Sequence, residues 1–442
     1  MTKLPESFLN RMQTRISEGE LPVFITAYEH SAPQSIRLNP KKPVVGFENL
    51  TSVPWLSEGK FLEEKKQFIT DPLWHAGAYY VQESSSMILG EIFRQLFPEE
   101  KPHRALDLCA APGGKSTLLQ SLLDENSVLI ANEVIKPRAQ ILKENHVRLG
   151  ISENLIITQN DPKQFSKLEE FFDFIQVDTP CSGEGMFRKD DMALREWSEA
   201  NCNLCCERSK RILADVLPSL AKEGHLVYST CTFNPKENEE LVHWACESFD
   251  LSSMKFDFPD KWGISEIEFK GVFGYYFYPH KVQGEGLFVS VMKKNSGYGL
   301  LRLESLKKVK SIQIPQLVET ENIIQENEFL IWETKELREV KKFISNQLNI
   351  IYSGIHLGEI KGGDFIPAQA LASFYKHLHI FPEVDVNAET ALQFLRGNDP
   401  QLDLDQKGIY LLTYQNLGLG FVKFIGNRSN NYYPKPWRIK NY

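Results

Sequence analysis

The chain has 442 residues, 42% of them hydrophobic and 24% charged, with a formal net charge of −8. That length exceeds one ordinary core and predicts two or three domains of a soluble globular protein. The negative balance excludes nucleic-acid binding over the whole surface, although a local stripe of Lys and Arg suffices for phosphate contacts. The first residues lack the apolar stretch of a signal peptide, and no apolar run is long enough to span a membrane, so a cytoplasmic protein is expected.

Residues 1 to about 70 combine a short amphipathic start with "QSIRLNPKKPVVGF", a strand and a Pro-punctuated turn. From Arg104 onwards strands alternate with helices. "RALDLCA" reads as a buried strand, followed by a Gly-rich turn and the helix "KSTLLQSLL". "VLIANEV" is a second strand, and "PRAQILKENHVRLG" a helix with Pro137 near its start and Gly150 at its end. "NLIITQND" and "FDFIQVD" are two further strands, and a helical run is predicted over residues 192 to 222, stopping at Gly224. "HLVYSTC" is the next strand, after which Asn234 as a cap and Pro235 at the first position predict a helix. This alternation predicts an α/β, doubly wound sheet with ligands at the carboxyl ends of its strands.

"KKNSGYGL" reads as a linker. Beyond it "FLIWE", "IYSGIHLGEI", "GIYLLTY" and "GLGFVKFIG" predict one or two small α+β or β-barrel-like modules. The expected divisions are 1–70, 71–295, 300–380 and 381–442. Two basic segments are candidates for phosphate contact: "KKVK" at 307–310, and a C-terminal group of Lys423, Arg428, Lys435, Arg438 and Lys440.

"LDLCAAPGGKST" places Gly113 and Gly114 at the first strand-to-helix turn, where the backbone can approach a ligand and helix N–H groups are free. It is neither G-x-G-x-x-G nor a P-loop, so a pyrophosphate ligand is disfavoured. Glu133 at the end of the second strand can accept both hydroxyls of a ribose. Asp161 at the end of the third can take an adenine amine, and Asp178 ends the fourth. Each alone reads as an ordinary turn acid. Four successive strand ends carrying such groups point to an adenosine without polyphosphate, hence S-adenosylmethionine.

Seven cysteines, Cys109, Cys181, Cys202, Cys205, Cys206, Cys231 and Cys246, all lie in the central segment. A disulfide framework would spread over the fold, so thiol chemistry or burial is the better reading. "VDTPCSGEGMF" and "LVYSTCTFNPKENEE" set Cys181 and Cys231 just past two strand ends of one sheet. Such thiols suit addition to carbon 6 of a pyrimidine, which makes carbon 5 nucleophilic. A partner must hydrogen-bond ring nitrogen 3, a place Asp178 can fill, and a base must remove the carbon-5 proton before the thiol leaves. Either cysteine can be the attacking one on this reasoning, and an inert buried thiol is the competing reading for each. Cys202, Cys205 and Cys206 lack a second ligand pair at metal spacing and read as buried helix thiols, so no metal is expected. Cys109 reads as packing beneath the cofactor loop.

"DLCAAPGGKST", Glu133 in "NE", Asp161 in "ND", "DTPCSGEGMFRKD" and "YSTCTFNPKENE" resemble the RNA cytosine-5 methyltransferases of the Nop2/Sun/RsmB/RsmF group, over roughly residues 30 to 295. "GAYYVQESSSM" and "YPHKVQGEGLFV" agree further. "SGIHLGEIKGGDFIPAQALA", "LQFLRG" and "NNYYPKPWR" resemble the RNA-binding extension of the RsmF branch, which includes a PUA-like module. The resemblance implies a Rossmann-like methyltransferase domain with a small N-terminal α+β accessory region and C-terminal α+β and PUA-like β-barrel modules. It implies S-adenosylmethionine as cofactor, held by Cys109, Ala110, Ala111, Pro112, Gly113, Gly114 and Lys115 with Glu133, Arg138, Asp161 and Asp178. Cys231 would then be the nucleophile, Cys181 would assist release of the methylated base, and Asp178 would lie between donor and pyrimidine. The implied partner is RNA of the small ribosomal subunit (16S), or the subunit itself, acted on by a monomer. The same chemistry on transfer RNA or DNA, and a catalytically silent RNA-binding assembly factor, are the alternatives. A pure binder needs neither Cys181 nor Cys231.

Overall fold

In the computed structural model, which describes residues 4–303, 322–376 and 378–440, the centre is a ten-stranded mixed sheet. Its strands are β1 (Arg104–Asp107), β2 (Val128–Asn132), β3 (Leu155–Thr158), β4 (Phe172–Asp178), β5 (Leu220–Thr230), β6 (Ser265–Phe269), β7 (Val272–Phe277), β8 (Leu287–Lys294) and β9 (Ile350–Ser353). Across the sheet they run β6-β7-β8-β5-β4-β1-β2-β3-β9, with Leu251–Ser253 paired beside β8. β2 and β3 are buried along their whole length, as strands covered on both faces must be. The five strands β1 to β5 pair in parallel. β8 and β9 close the two sides antiparallel to β5 and β3. The chain leaves β1 in opposite directions toward β2 and β4, the switch point at which doubly wound sheets bind ligands.

The helices that bear on the site are α1 (Gly114–Leu122), α2 (Lys136–Leu149), α3 (Glu199–Val216) and α4 (Glu239–Phe249). α2 ends at Gly150, whose φ of 69° suits glycine and where a Cβ would fall 1.7 Å from the Ser373 carbonyl oxygen. Two sequence expectations need correction. The helical run over 192–222 is broken, because Ser198 caps a new helix through the Asn201 N–H and Pro218 lies just past the end of α3. The helix expected at Asn234 begins instead at Glu239. Asn234 Oδ1 accepts from the Lys236 N–H at 3.1 Å, so it closes a tight turn before the helix starts.

The N-terminal region forms helices Glu6–Gln13 and Leu21–Ala27 and a four-stranded antiparallel sheet. Two more four-stranded sheets come after β8, one built on Phe329–Trp332 and Ile355–Lys361, the other on Gly408–Tyr414 and Leu417–Phe424. The last module is not loosely tethered. Ile36, Leu73 and Tyr79 of the N-terminal region share one apolar core with Phe394, Leu412, Val422 and Tyr433. His75 Nδ1 lies 2.9 Å from the Tyr433 hydroxyl, and the Arg148 guanidinium sits 3.8 Å over the Trp74 ring. Lys423, Arg428, Lys435 and Lys440 are exposed on that module, and Arg438 is half-buried, its Nε donating to the Tyr433 carbonyl. The "KKVK" segment lies outside the described residues. Among the described residues no helix is long and apolar enough to cross a membrane.

Phe394 is fully buried at this joint. Phe394→Ala should lower the unfolding free energy by about 3–5 kcal/mol, measured by urea denaturation; a loss below about 1 kcal/mol would contradict a shared core.

Candidate active site

β1 ends at Asp107, and the loop through Cys109 to Lys115 leads into α1. Gly113 has a φ of +122°, a conformation only glycine adopts readily. The loop is held from below. The Ala110 N–H donates to the Asn132 carbonyl at 2.8 Å. Asn145 Nδ2 donates to the Pro112 carbonyl at 2.6 Å. Asn132 Nδ2 donates to the Leu108 and Asn160 carbonyls at 3.1 and 3.0 Å, while its Oδ1 accepts from the Asn160 N–H at 3.0 Å. One buried amide thus joins the chain just past β1 and β3 to the end of β2.

Glu133 comes directly after β2 and is buried, accepting from the Ile135 N–H at 2.9 Å and pairing with Arg138 at 3.2 Å. Arg138 also donates to the Ala111 carbonyl at 2.8 Å, so it ties this acid to the glycine loop. Asp161 lies beyond the end of β3 and caps a 3-10 turn through the Lys163 N–H at 3.0 Å. It also meets Arg211 of α3 at 3.2 Å. Glu133, Arg138, Asp161 and Cys109 line a cleft of about 270 Å³ with Leu108, Val134, Ile135, Pro180 and Ile212. Apolar walls with a few polar groups suit a nucleoside-sized ligand. Cys109 is part of that wall rather than beneath the loop, and burial pushes its thiol well up.

At the inner end Lys115 is 2.8 Å from Asp178 Oδ2, and the Ser229 hydroxyl donates to Asp178 Oδ1 at 2.8 Å. Burial disfavours the Lys115 ammonium, but Asp178 outweighs it and the pKa rises. Asp107 differs. It is 1% exposed, neither carboxylate oxygen makes a well-aligned hydrogen bond, and the Cys109 N–H offers weak relief. Burial first, and the Asp178 charge second, push it up to about 8. A cationic group of a ligand beside this buried carboxyl would favour its ionised form and supply the charge partner it lacks in the free protein.

The two thiols stand at neighbouring strand ends. Asp178 of β4 is opposite Ser229 of β5, so Cys181 and Cys231 emerge side by side. Their sulfurs are 3.1 Å apart, both unbridged, and the Cys231 N–H donates to Cys181 Sγ at 3.3 Å. The hydrogen bond to Cys231, and then burial, push the Cys181 thiol well up, so Cys181 keeps its proton. Lys115 lies within electrostatic reach of Cys231. The Gly185 N–H holds the Cys231 carbonyl at 2.8 Å, and a Cβ on Gly185 would fall 2.9 Å from the Gly286 carbonyl oxygen.

Sequence reasoning missed Asp107, Asn132, Glu184 and Glu237, although the last two stand inside the two cysteine motifs. For Glu184 the signal was an acid kept among small and apolar residues, in "CSGEGMF". Cys202, Cys205 and Cys206 are buried on α3, with the Cys206 thiol donating to the Lys236 carbonyl at 3.1 Å. Among the described residues no His, Cys, Asp or Glu group is arranged to hold a metal ion.

Because the folded pKa of Asp107 lies above its unfolded value, its contribution to stability is complete at low pH and is lost as pH rises through about 8. Glu237, pushed up to about 7 by burial, acts in the same direction. Asp107→Asn should therefore raise the Tm of the ligand-free protein at about pH 8 relative to its Tm at about pH 4, compared with the same difference in the wild type; an unchanged difference would contradict the assignment.

Comparison with known proteins places these parts in one lineage. Residues 94–293 match the family model of the 16S rRNA methyltransferase RsmB/F, residues 4–84 the N-terminal domain of 16S rRNA methyltransferase RsmF, and residues 381–439 the RsmF PUA domain. The ribosomal RNA small subunit methyltransferase F of Salmonella agona is 31% identical over 98% of this chain and 96% of its own. The protein of that name from Salmonella dublin is 30% identical over the same shares. Among solved structures, a methyltransferase homolog from Pyrococcus horikoshii is 25% identical, covering 66% of this chain and all of its own, with a TM-score of 0.52. NSun6 from the same organism shares the fold, at 18% identity and a TM-score of 0.55 over 66% of this chain and 99% of its own. The chain belongs to the RsmB/F family of 16S ribosomal RNA methyltransferases.

Proposed function

We propose that this enzyme methylates carbon 5 of a cytosine in small-subunit (16S) ribosomal RNA, using S-adenosylmethionine and a covalent cysteine–cytosine adduct. The observation that carries the reading is the pair of unbridged thiols, 3.1 Å apart, beside the Asp178–Lys115 pair. S-adenosylmethionine supplies a methyl group on a positively charged sulfur, which a carbon nucleophile can accept. The loop 109–115, Glu133, Arg138 and Asp161 would hold its nucleoside part, and the orphaned Asp107 and Asp178 would face its cationic part.

Cys231 adds to carbon 6 as a thiolate, the nucleophilic form of a cysteine. Asp178 and Lys115 together present an acceptor and a donor to the edge of the ring, matching the amino group and ring nitrogen 3 of cytosine. The donor at nitrogen 3 stabilises the negative charge that addition at carbon 6 pushes into the ring, and the resulting enamine-like species attacks the methyl group through carbon 5. A base then takes the carbon-5 proton, its electrons re-form the ring double bond, and the Cys231 sulfur departs. Cys181, whose sulfur lies 3.1 Å from that of Cys231, would donate its proton to the departing thiolate.

The names of the relatives speak for small-subunit ribosomal RNA. The exposed Lys423, Arg428, Lys435 and Lys440 supply the local basic surface that a chain of net charge −8 needs for RNA. A single-stranded or flipped-out base is required, since carbon 5 and carbon 6 are inaccessible inside a duplex. A cytoplasmic monomer fits the unpaired thiols, which that compartment keeps reduced.

Cys231→Ala should abolish methyl transfer, while Cys181→Ala should still attack and leave a protein–RNA adduct on a denaturing gel. The opposite pattern would reverse the two roles. Bisulfite mapping of RNA from cells without the gene should show a 5-methylcytosine lost from 16S ribosomal RNA. A loss confined to transfer RNA would overturn the substrate.

A further inference from the structure

The site holds two buried carboxylates that have no task in the methyl transfer itself, and they are arranged crosswise. Glu184 comes after Cys181 in the Pro-Cys loop, yet its Oε2 accepts from the N–H of Phe233, two residues past Cys231, at 3.0 Å. Glu237 comes after Cys231 in the Thr-Cys loop, yet it accepts from Ser182, the residue after Cys181. Oε2 takes the Ser182 N–H at 2.9 Å and Oε1 the Ser182 hydroxyl at 2.7 Å. Both acids are 0% exposed. Each loop is therefore pinned by a carboxylate of the other.

The pins act on different cysteines. The Glu237 carboxylate holds Ser182 directly, and the Ser182 hydroxyl in turn contacts the Thr232 hydroxyl at 2.8 Å. The Thr-Cys loop has anchors of its own. Asn238 Nδ2 donates to the Thr232 carbonyl at 2.9 Å, and its Oδ1 accepts from the Thr230 hydroxyl at 2.6 Å. Glu184 is in turn held by Arg11 of the first helix and by the Trp197 Nε1–H at 3.0 Å. The N-terminal region thus reaches the Cys231 loop through this carboxylate, and Phe24 also packs edge-on against Phe233 of the same loop.

We propose that Glu237 and Glu184 are positioning residues that hold the two thiols in contact, Glu237 by fixing the Cys181 loop and Glu184 by fixing the Cys231 loop. Their loss has opposite kinetic signatures. Without Glu237 the Cys181 thiol drifts from the sulfur it must relieve, so adduct forms and persists. Without Glu184 the attacking sulfur drifts, so adduct forms slowly. The signatures rest on the proposed roles of Cys231 in attack and Cys181 in release; the clamp itself does not.

The thiol separation can be read without any RNA. Diamide takes two protons and two electrons from the thiols, its N=N bond becoming N–N with two N–H groups, as the Sγ–Sγ bond forms, and peptide mapping identifies the Cys181–Cys231 product. In the full chain this bond should form about tenfold more slowly in Glu237→Ala, the loss expected when a buried hydrogen-bonding partner is removed. Glu237→Gln should recover most of that rate, because its amide accepts from the Ser182 N–H and donates to the Ser182 hydroxyl. Ser182→Ala, which deletes only the hydroxyl link, should slow trapping by a smaller factor. Equal trapping rates in Glu237→Ala, Ser182→Ala and the wild type would overturn the clamp.

Single-turnover reactions with 16S ribosomal RNA then separate the roles. Glu237→Ala should accumulate adduct, and Glu184→Gln should form it slowly without accumulating it. A slowed trapping rate combined with Cys231→Ala that still methylates would leave the clamp standing and overturn the assignment of the two thiols. Adduct that accumulates in Glu184→Gln and not in Glu237→Ala would overturn the division of labour.

Discussion

Two parallel strands in register, with Asp178 opposite Ser229, decide what the rest of the site can be. Parallel pairing starts two loops at the same height and on the same edge of the sheet, so the residues just past one strand end must meet those just past the other. A thiol three residues past Asp178 and another two past Ser229 consequently face each other at 3.1 Å. The same register lets the Ser229 hydroxyl orient Asp178, which in turn holds Lys115 at the start of α1. The glycine loop, the acid and both thiols therefore share one frame, and a slip in the pairing would part them all.

The accessory regions are built into that frame. Arg37 of the N-terminal sheet is 4% exposed and donates to the Thr117 hydroxyl at 2.7 Å and to the Gly114 carbonyl at 3.2 Å, bracing the first turn of α1. Arg11 meets Glu184 beside the Cys231 loop. β9, from the segment after the linker, completes the far edge of the central sheet. The last module shares its core with the N-terminal region. Packed contacts thus run from the module that carries the exposed basic residues, through the N-terminal region, to the glycine loop and the loops of the two thiols.

Much of this was legible in the sequence because it is local. Apolar runs separated by glycine turns marked the parallel strands, and Gly150 marked the end of α2 by the one conformation it must adopt. The acids after strands, and the cysteines after β4 and β5, were visible as positions relative to a strand end. The features that escaped depend on distant partners. Asp107 looked like one more strand residue, since nothing local shows that a carboxylate will be buried without a partner. Glu184 and Glu237 drew no reading from the sequence, because the backbone N–H groups they accept from lie 49 and 55 positions away. The start of α4 was misplaced for a related reason: a cap at Asn234 and a proline after it satisfy the rules for a helix, but there they close a turn that carries Glu237 into the site.

In the proposed mechanism Cys231 attacks and Cys181 lets go, and the cysteine bonded to carbon 6 in a trapped adduct distinguishes the two thiols. In 16S ribosomal RNA carrying 5-fluorocytidine, carbon 5 has no proton to lose after methylation, so the sulfur cannot leave. Digestion of the complex formed with S-adenosylmethionine, followed by mass spectrometry, should find the nucleotide on the peptide containing Cys231. A nucleotide on Cys181 would contradict the account.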